Sequence, residues 1–161
     1  MNKIFGILVF LGLLGAPAWA SMPGAGDAAP GFSLVSVDGK AISLEAFKGK
    51  VVLVGMFHIC VPCMNQAMEF NKVRAALPSG QLVVLGINTS GDSKKAVMDY
   101  LSQFPQKVKF PYLLDPGLKV QKAYAQRDMP TVLIIDAKGV IRARTPGVGA
   151  DQLIPYLKDL L

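Results

Sequence analysis

At 161 residues the chain has room for one domain with a substantial core and too little for two. Its 52% hydrophobic and 17% charged residues are a globular balance that excludes a disordered or low-complexity protein. The net charge of +6 is spread over scattered lysines, with no arginine-rich stripe and no interleaving of basic and aromatic residues. That pattern argues against nucleic acid as a partner and reads as a solvated basic face.

Residues 1–20 carry the marks of a secretory signal. Lys3 opens the segment, Ile4 to Leu14 is an uncharged apolar run, Pro17 breaks it, and Ala18-Trp19-Ala20 is a small-residue cleavage site. The run is short for a membrane span of about 20 residues, so a cleaved signal is expected, with an uncleaved anchor as the alternative. Either way the domain is expected in the periplasm or another extracytoplasmic space. Residues 21–30 are rich in Gly, Ala and Pro and read as a flexible lead-in to one domain over 31–161.

Phe32 to Val35 alternates as a strand, Asp38-Gly39 makes a turn, and Ala41 to Ser43 returns as the second strand of a hairpin. Leu44 to Phe47 is a short turn of helix. Val51 to Val54 is continuous and mostly β-branched, the pattern of a strand buried on both faces. A helix follows to Leu77-Pro78, its spacing carried by Met64, Ala67, Met68, Asn71 and Val73. Leu82 to Ile87 is a second buried strand, and Ser93 to Phe104 a helix capped by Ser93 or Asp92. A short strand at Phe110 to Leu114, a short helix at Leu118 to Tyr124, a hairpin of Thr131–Asp136 with Val140–Arg144, and a helix over Asp151–Leu161 complete the order. The expectation is one α/β domain: a central mixed sheet with helices on both faces, an N-terminal β-hairpin and a central αβ insertion.

Two cysteines stand at Cys60-Val61-Pro62-Cys63. A disulfide across so short a loop removes little entropy from the unfolded chain, so chemistry explains the pair better than stability does. Half of a zinc site would need two further ligands, and the chain offers one His and no third Cys. Cys60 falls where a buried strand ends and a helix begins. Unpaired N–H groups and the positive end of the helix dipole favour an anion there. Cys60 is therefore expected to be the exposed nucleophile, attacking as thiolate, and Cys63 the shielded resolving thiol. Pro62 supplies the φ angle of a first helical turn. Met129-Pro130-Thr131 precedes a strand, a place where an ordinary trans proline is permitted.

These pieces together resemble the TlpA/ResA-like branch of thioredoxin-like reductases, within the redoxin/AhpC-TSA-like superfamily. The matching stretches are Ala29-Pro30-Gly31-Phe32-Ser33-Leu34, Asp38-Gly39-Lys40, Gly49-Lys50-Val51-Val52-Leu53-Val54, the cysteine motif, Phe110-Pro111-Tyr112-Leu113-Leu114-Asp115, and Met129-Pro130-Thr131 through Asp136 with Gly139. The resemblance covers nearly all of residues 28–161. It implies a thioredoxin-like fold and a protein-disulfide reductase whose only redox group is the Cys60–Cys63 disulfide, with no added cofactor. It implies disulfide-containing client proteins, of the cytochrome c maturation or copper-site assembly type, and a membrane electron donor of the DsbD/CcdA type. It also implies that Pro130 is a cis-proline beside the cysteines and that Met129 offers its backbone to substrate. A monomer is expected.

The chain departs from the family around the motif. Met56-Phe57-His58-Ile59 lacks the usual Trp, and Gln66 stands where an acidic residue is common. Gln66 cannot ionise; Glu69, one turn on, is the available carboxylate. Together with His58 and Pro62 these are the candidates for tuning the pair. A charged His58 would stabilise a thiolate. It could instead join Cys60 and Cys63 in a copper(I) site with Met56, Met64 or Met129 near by, which makes a copper(I)-binding chaperone the alternative function. A peroxiredoxin is a weaker alternative, because Phe57 and Met56 replace the residues that such a peroxidase needs.

Overall fold

The computed structural model describes residues 22–77 and 80–161; the expected signal at 1–20 lies outside them. The strands are β1 (Ser33–Ser36), β2 (Ala41–Ser43), β3 (Val51–Phe57), β4 (Leu82–Asn88), β5 (Tyr112–Leu114), β6 (Thr131–Ile135) and β7 (Ile141–Thr145). The helices are α1 (Val61–Ala76), α2 (Lys94–Ser102), α3 (Lys119–Ala123) and α4 (Ala150–Lys158), with a 3-10 turn at Leu44–Phe47. The sheet order is β2-β1-β5-β4-β3-β6-β7. β4 runs parallel to β3 and β5, whereas β6 is antiparallel to β3. The sheet is therefore mixed, as the sequence pattern requires.

β3 lies between β4 and β6 and is buried along its whole length. Its alternate residues feed two cores. Val51, Leu53 and Phe57 pack with Phe70 and Val73 of α1, Val97 of α2 and Leu153 of α4. Val52, Val54 and Met56 pack on the other face with Val120 of α3, Tyr124 and the β1–β2 hairpin. Covering both faces stabilises the strand by about 25 cal/mol for each Å² of apolar surface removed from water.

Two glycines meet across the β3–β4 ladder, Gly55 opposite Gly86. A Cβ on Gly55 would stand 2.1 Å from the Phe57 ring, and one on Gly86 2.9 Å from Tyr112. The missing side chains make room for those two rings, which stack at 6.0 Å. Phe70 of α1 packs against Phe57 at 5.8 Å. The aromatic cluster seats the helix that carries the cysteines.

Residues 22–30, expected to be a flexible lead-in, are tied down instead. Gly26 N–H donates to the Ile141 carbonyl, Ile141 N–H to Asp27, and Ala29 N–H to Gly139. The Arg144 guanidinium holds the Pro23 carbonyl at 2.9 Å, and the Tyr124 hydroxyl holds that of Pro30 at 2.8 Å. The physical reason is the outer edge of β7, whose unpaired N–H and C=O groups the segment satisfies. No helix among the described residues is long and apolar enough to cross a membrane.

Asp115 closes the inserted segment. Its buried carboxylate accepts the N–H groups of Lys119, Val120 and Gln121 at 2.8–3.0 Å, and so caps α3. Asp115→Ala would leave these donors without the carboxylate. The expected loss is about 3 kcal/mol of unfolding free energy, read as a lower urea midpoint with an unchanged slope.

Candidate active site

The end of β3 sets the site. Phe57 is its last residue, His58 and Ile59 leave the sheet, and Cys60 is the N-cap of α1 in extended conformation (φ −157°, ψ 156°). Pro62 sits in the first turn and is exposed. The Cys63 N–H donates to the Cys60 sulfur at 3.3 Å, so the Cys60 side chain itself caps the helix. Both cysteines are free thiols.

The two thiols differ in environment. Cys60 is partly exposed, whereas Cys63 is 1% exposed. Burial pushes the Cys63 thiol up to about 12, reinforced by its hydrogen bond and charge interaction with Cys60 and opposed by the His58 N–H. That N–H donates to the Cys63 sulfur at 3.3 Å.

His58 is one of the candidates for tuning the pair, and its contact with the pair is this backbone N–H. Burial pushes the imidazole below its ordinary 6.5, partly offset by Asp92, so the charged ring is the disfavoured form. Its Nε2 is buried and has no hydrogen-bond partner among the described residues. Nor, among those residues, does any group of three or more His, Cys, Asp or Glu side chains gather as a metal site.

Gln66 and Glu69 face the loop before α4. Gln66 is buried, and its amide both donates to the Val148 carbonyl (2.8 Å) and accepts the Val148 N–H (2.7 Å). Glu69 accepts the Ala150 N–H at 2.8 Å and pairs with Lys72 at 2.6 Å. The Lys72 ammonium and then the Ala150 N–H hold the Glu69 carboxyl below its ordinary 4.5, against the cost of burial. Both side chains fasten α1 to α4.

The Met129–Pro130 bond is cis. Thr131 pairs with Met56, which brings this loop beside the end of β3. Gln126 secures it, donating to the carbonyls of Met56 and Asp128 at 3.2 Å each. Pro130 shares a shallow groove with Pro62, Gln66 and Val148. Met129, Ile59 and Val61 are 50%, 41% and 64% exposed, an apolar rim that a peptide can cover.

The sequence reading missed the grip on the helix start. The Tyr100 hydroxyl donates to the Cys60 carbonyl at 2.6 Å, and Thr89 N–H donates to that of Phe57 at 2.9 Å. The spacing of Val97, Tyr100, Leu101 and Phe104 signals a buried helix face, but not a hydroxyl directed at the motif.

The Redoxin family model matches residues 24–158. The chain belongs to the Redoxin family. It is 26% identical over 168 residues to the thiol-disulfide oxidoreductase ResA of Bacillus thuringiensis subsp. konkukian (strain 97-27), covering 98% of this chain and 95% of that protein. It is 28% identical over 163 residues to the sporulation thiol-disulfide oxidoreductase A of Bacillus subtilis (strain 168), covering 95% and 96%. The crystal structure of StoA from Bacillus subtilis superposes with a TM-score of 0.68 at 24% identity, covering 80% of this chain and 96% of that one. The chain is thus a thioredoxin-fold thiol–disulfide oxidoreductase of the ResA-like type.

Two outcomes follow from the geometry. In the reduced protein at neutral pH, iodoacetamide should alkylate Cys60 and spare Cys63, read by peptide mass spectrometry; faster labelling of Cys63 would reverse the two environments. Glu69→Gln should cost roughly 0.5–1 kcal/mol of unfolding free energy at pH 7. The ionised Glu69 contributes fully above its ordinary 4.5, and that contribution is lost as pH falls through its lower folded value. The two proteins should therefore converge in acid denaturation curves.

Proposed function

We propose that this chain is an exported reductase of disulfides in client proteins, with Cys60 as nucleophile and Cys63 as resolving thiol. The observation that carries the reading is the unequal pair: Cys60 partly exposed at the cap of α1, Cys63 buried behind it with its thiol raised to about 12. The ResA-like relatives support it. The signal-like composition of residues 1–20 supports export.

The Cys60 thiolate attacks one sulfur of a client disulfide. That S–S bond breaks, a Cys60–client disulfide forms, and the released client sulfur takes up a proton. Cys63 then loses its proton and attacks the Cys60 sulfur. The mixed disulfide breaks, the Cys60–Cys63 disulfide forms, and the second client sulfur leaves as a thiol. Two electrons pass from the cysteines to the client, with no other redox group. Burial remains the main reason the Cys63 thiol is raised; bonding Cys60 to the client removes only the smaller contributions of its hydrogen bond and charge. A membrane donor of the DsbD/CcdA type would return two electrons and two protons to the monomeric domain. Clients of the cytochrome c maturation or copper-site assembly type fit this role.

The test is Cys63→Ser in the exported full chain. Attack by Cys60 survives and resolution does not, so clients should accumulate as mixed disulfides that dithiothreitol releases and mass spectrometry identifies. A variant that turns over like the wild type, with no trapped client, would overturn the two-cysteine mechanism.

A further inference from the structure

Cys60 is anchored from a distant part of the chain. Its carbonyl is the first acceptor of α1, taking the Met64 N–H at 3.0 Å, and it also takes the Tyr100 hydroxyl at 2.6 Å. Tyr100 lies on α2, forty residues along the chain, and is 8% exposed. Its ring is clamped edge-on by Phe104 at 4.8 Å. α2 itself is fixed by its Ser93 cap, which accepts the Ala96 N–H at 3.2 Å. Just before that cap, the Asn88 amide donates to the Asp92 carboxylate at 2.9 Å. The hydroxyl is therefore delivered from a rigid base.

The consequence lies in the backbone of the nucleophile. Cys60 is the one residue of the motif outside the helix, and in a helix cap the sulfur's direction follows the cap's φ and ψ. Holding the carbonyl fixes ψ of Cys60 and so aims its sulfur at the Cys63 N–H. Closing the S–S bond holds Cys60 in the same way, so by linkage a contact that orders Cys60 in the dithiol also favours closure.

We propose that Tyr100 is a positioning residue of the redox centre, and that its hydroxyl on the Cys60 carbonyl biases the Cys60–Cys63 couple toward the disulfide, which makes the dithiol a stronger reductant. The proposal rests on the reductase reading above. Burial raises the Tyr100 phenol to about 12, so the donor keeps its proton wherever the thiols exchange. The α2–β5 insertion then has a function beyond widening the sheet, since it supplies the only side-chain hydrogen bond to Cys60 from outside the motif among the described residues.

The test compares Tyr100→Phe with Asp115→Ala in the full chain, equilibrated against reduced and oxidised glutathione. Tyr100→Phe keeps the ring and removes the donor. Losing one hydrogen bond should move the equilibrium about three- to tenfold toward the dithiol. In reduction of a model protein disulfide it should lower kcat and leave KM unchanged. Asp115→Ala weakens the cap of α3 and should lower Tm without moving the glutathione equilibrium. An unchanged equilibrium in Tyr100→Phe, or an equal shift in Asp115→Ala, would reduce Tyr100 to a structural contact. A wild-type protein that neither equilibrates with glutathione nor reduces the model substrate would instead overturn the reductase reading itself.

Discussion

The burial of β3 on both faces is the constraint from which the rest follows. A strand so enclosed cannot turn aside within the core, so its chain emerges only past Phe57. There the next helix begins, and Cys60 occupies the junction. Neighbours of β3 bring the remaining parts to the same end. Parallel β4 delivers Thr89 and then α2 with Tyr100, while antiparallel β6 begins there with Met129-Pro130 just before it. Chemistry collects at this edge because strand ends are where backbone donors and side chains can meet without filling the core.

The same burial creates the difference between the cysteines. One helical turn separates Cys60 from Cys63, yet one is partly exposed and the other is fully enclosed in the core under α1. Desolvation penalises an ion, so burial holds the inner thiol in its protonated form.

Much of this was legible in the sequence. Val51–Val54, Leu82–Ile87 and Thr131–Ile135 are apolar and β-branched because they are enclosed, and composition alone reveals that. The cysteine motif declares itself by spacing, and Met129-Pro130 only through the family resemblance. Other features were hidden by physics that acts across the chain. The buried face of α1 includes Asn71, which the helical spacing takes in, and Gln66, which it does not. Each is affordable inside only because backbone groups far away satisfy it: Val148 for Gln66, and Lys107 and Lys109 for Asn71. The Gly, Ala and Pro of residues 22–30 read as slack, yet their backbone pairs with an open edge, which composition does not report. Tyr100 belongs to the same class, a contact made by topology.

Gln66 shows how such a contact constrains the chemistry. The amide meets a carbonyl and an N–H of the same residue, Val148, and needs a donor and an acceptor at once. An ionised carboxylate in its place could accept the N–H, but its other oxygen would face the Val148 carbonyl at about 2.8 Å with no proton between them. Such an arrangement leaves an acceptor unsatisfied and sets negative charge against a carbonyl dipole in a buried position. The glutamine is thus matched to the loop that holds Gly147 and Val148 against α1 and Pro130. That match removes an ionisable group from the helix beside the thiols. Charge that develops on sulfur during exchange is then left to fixed partners: the Cys63 N–H on Cys60 and the His58 N–H on Cys63. Backbone donors do not titrate, so their support persists unchanged across the pH range in which the thiols react.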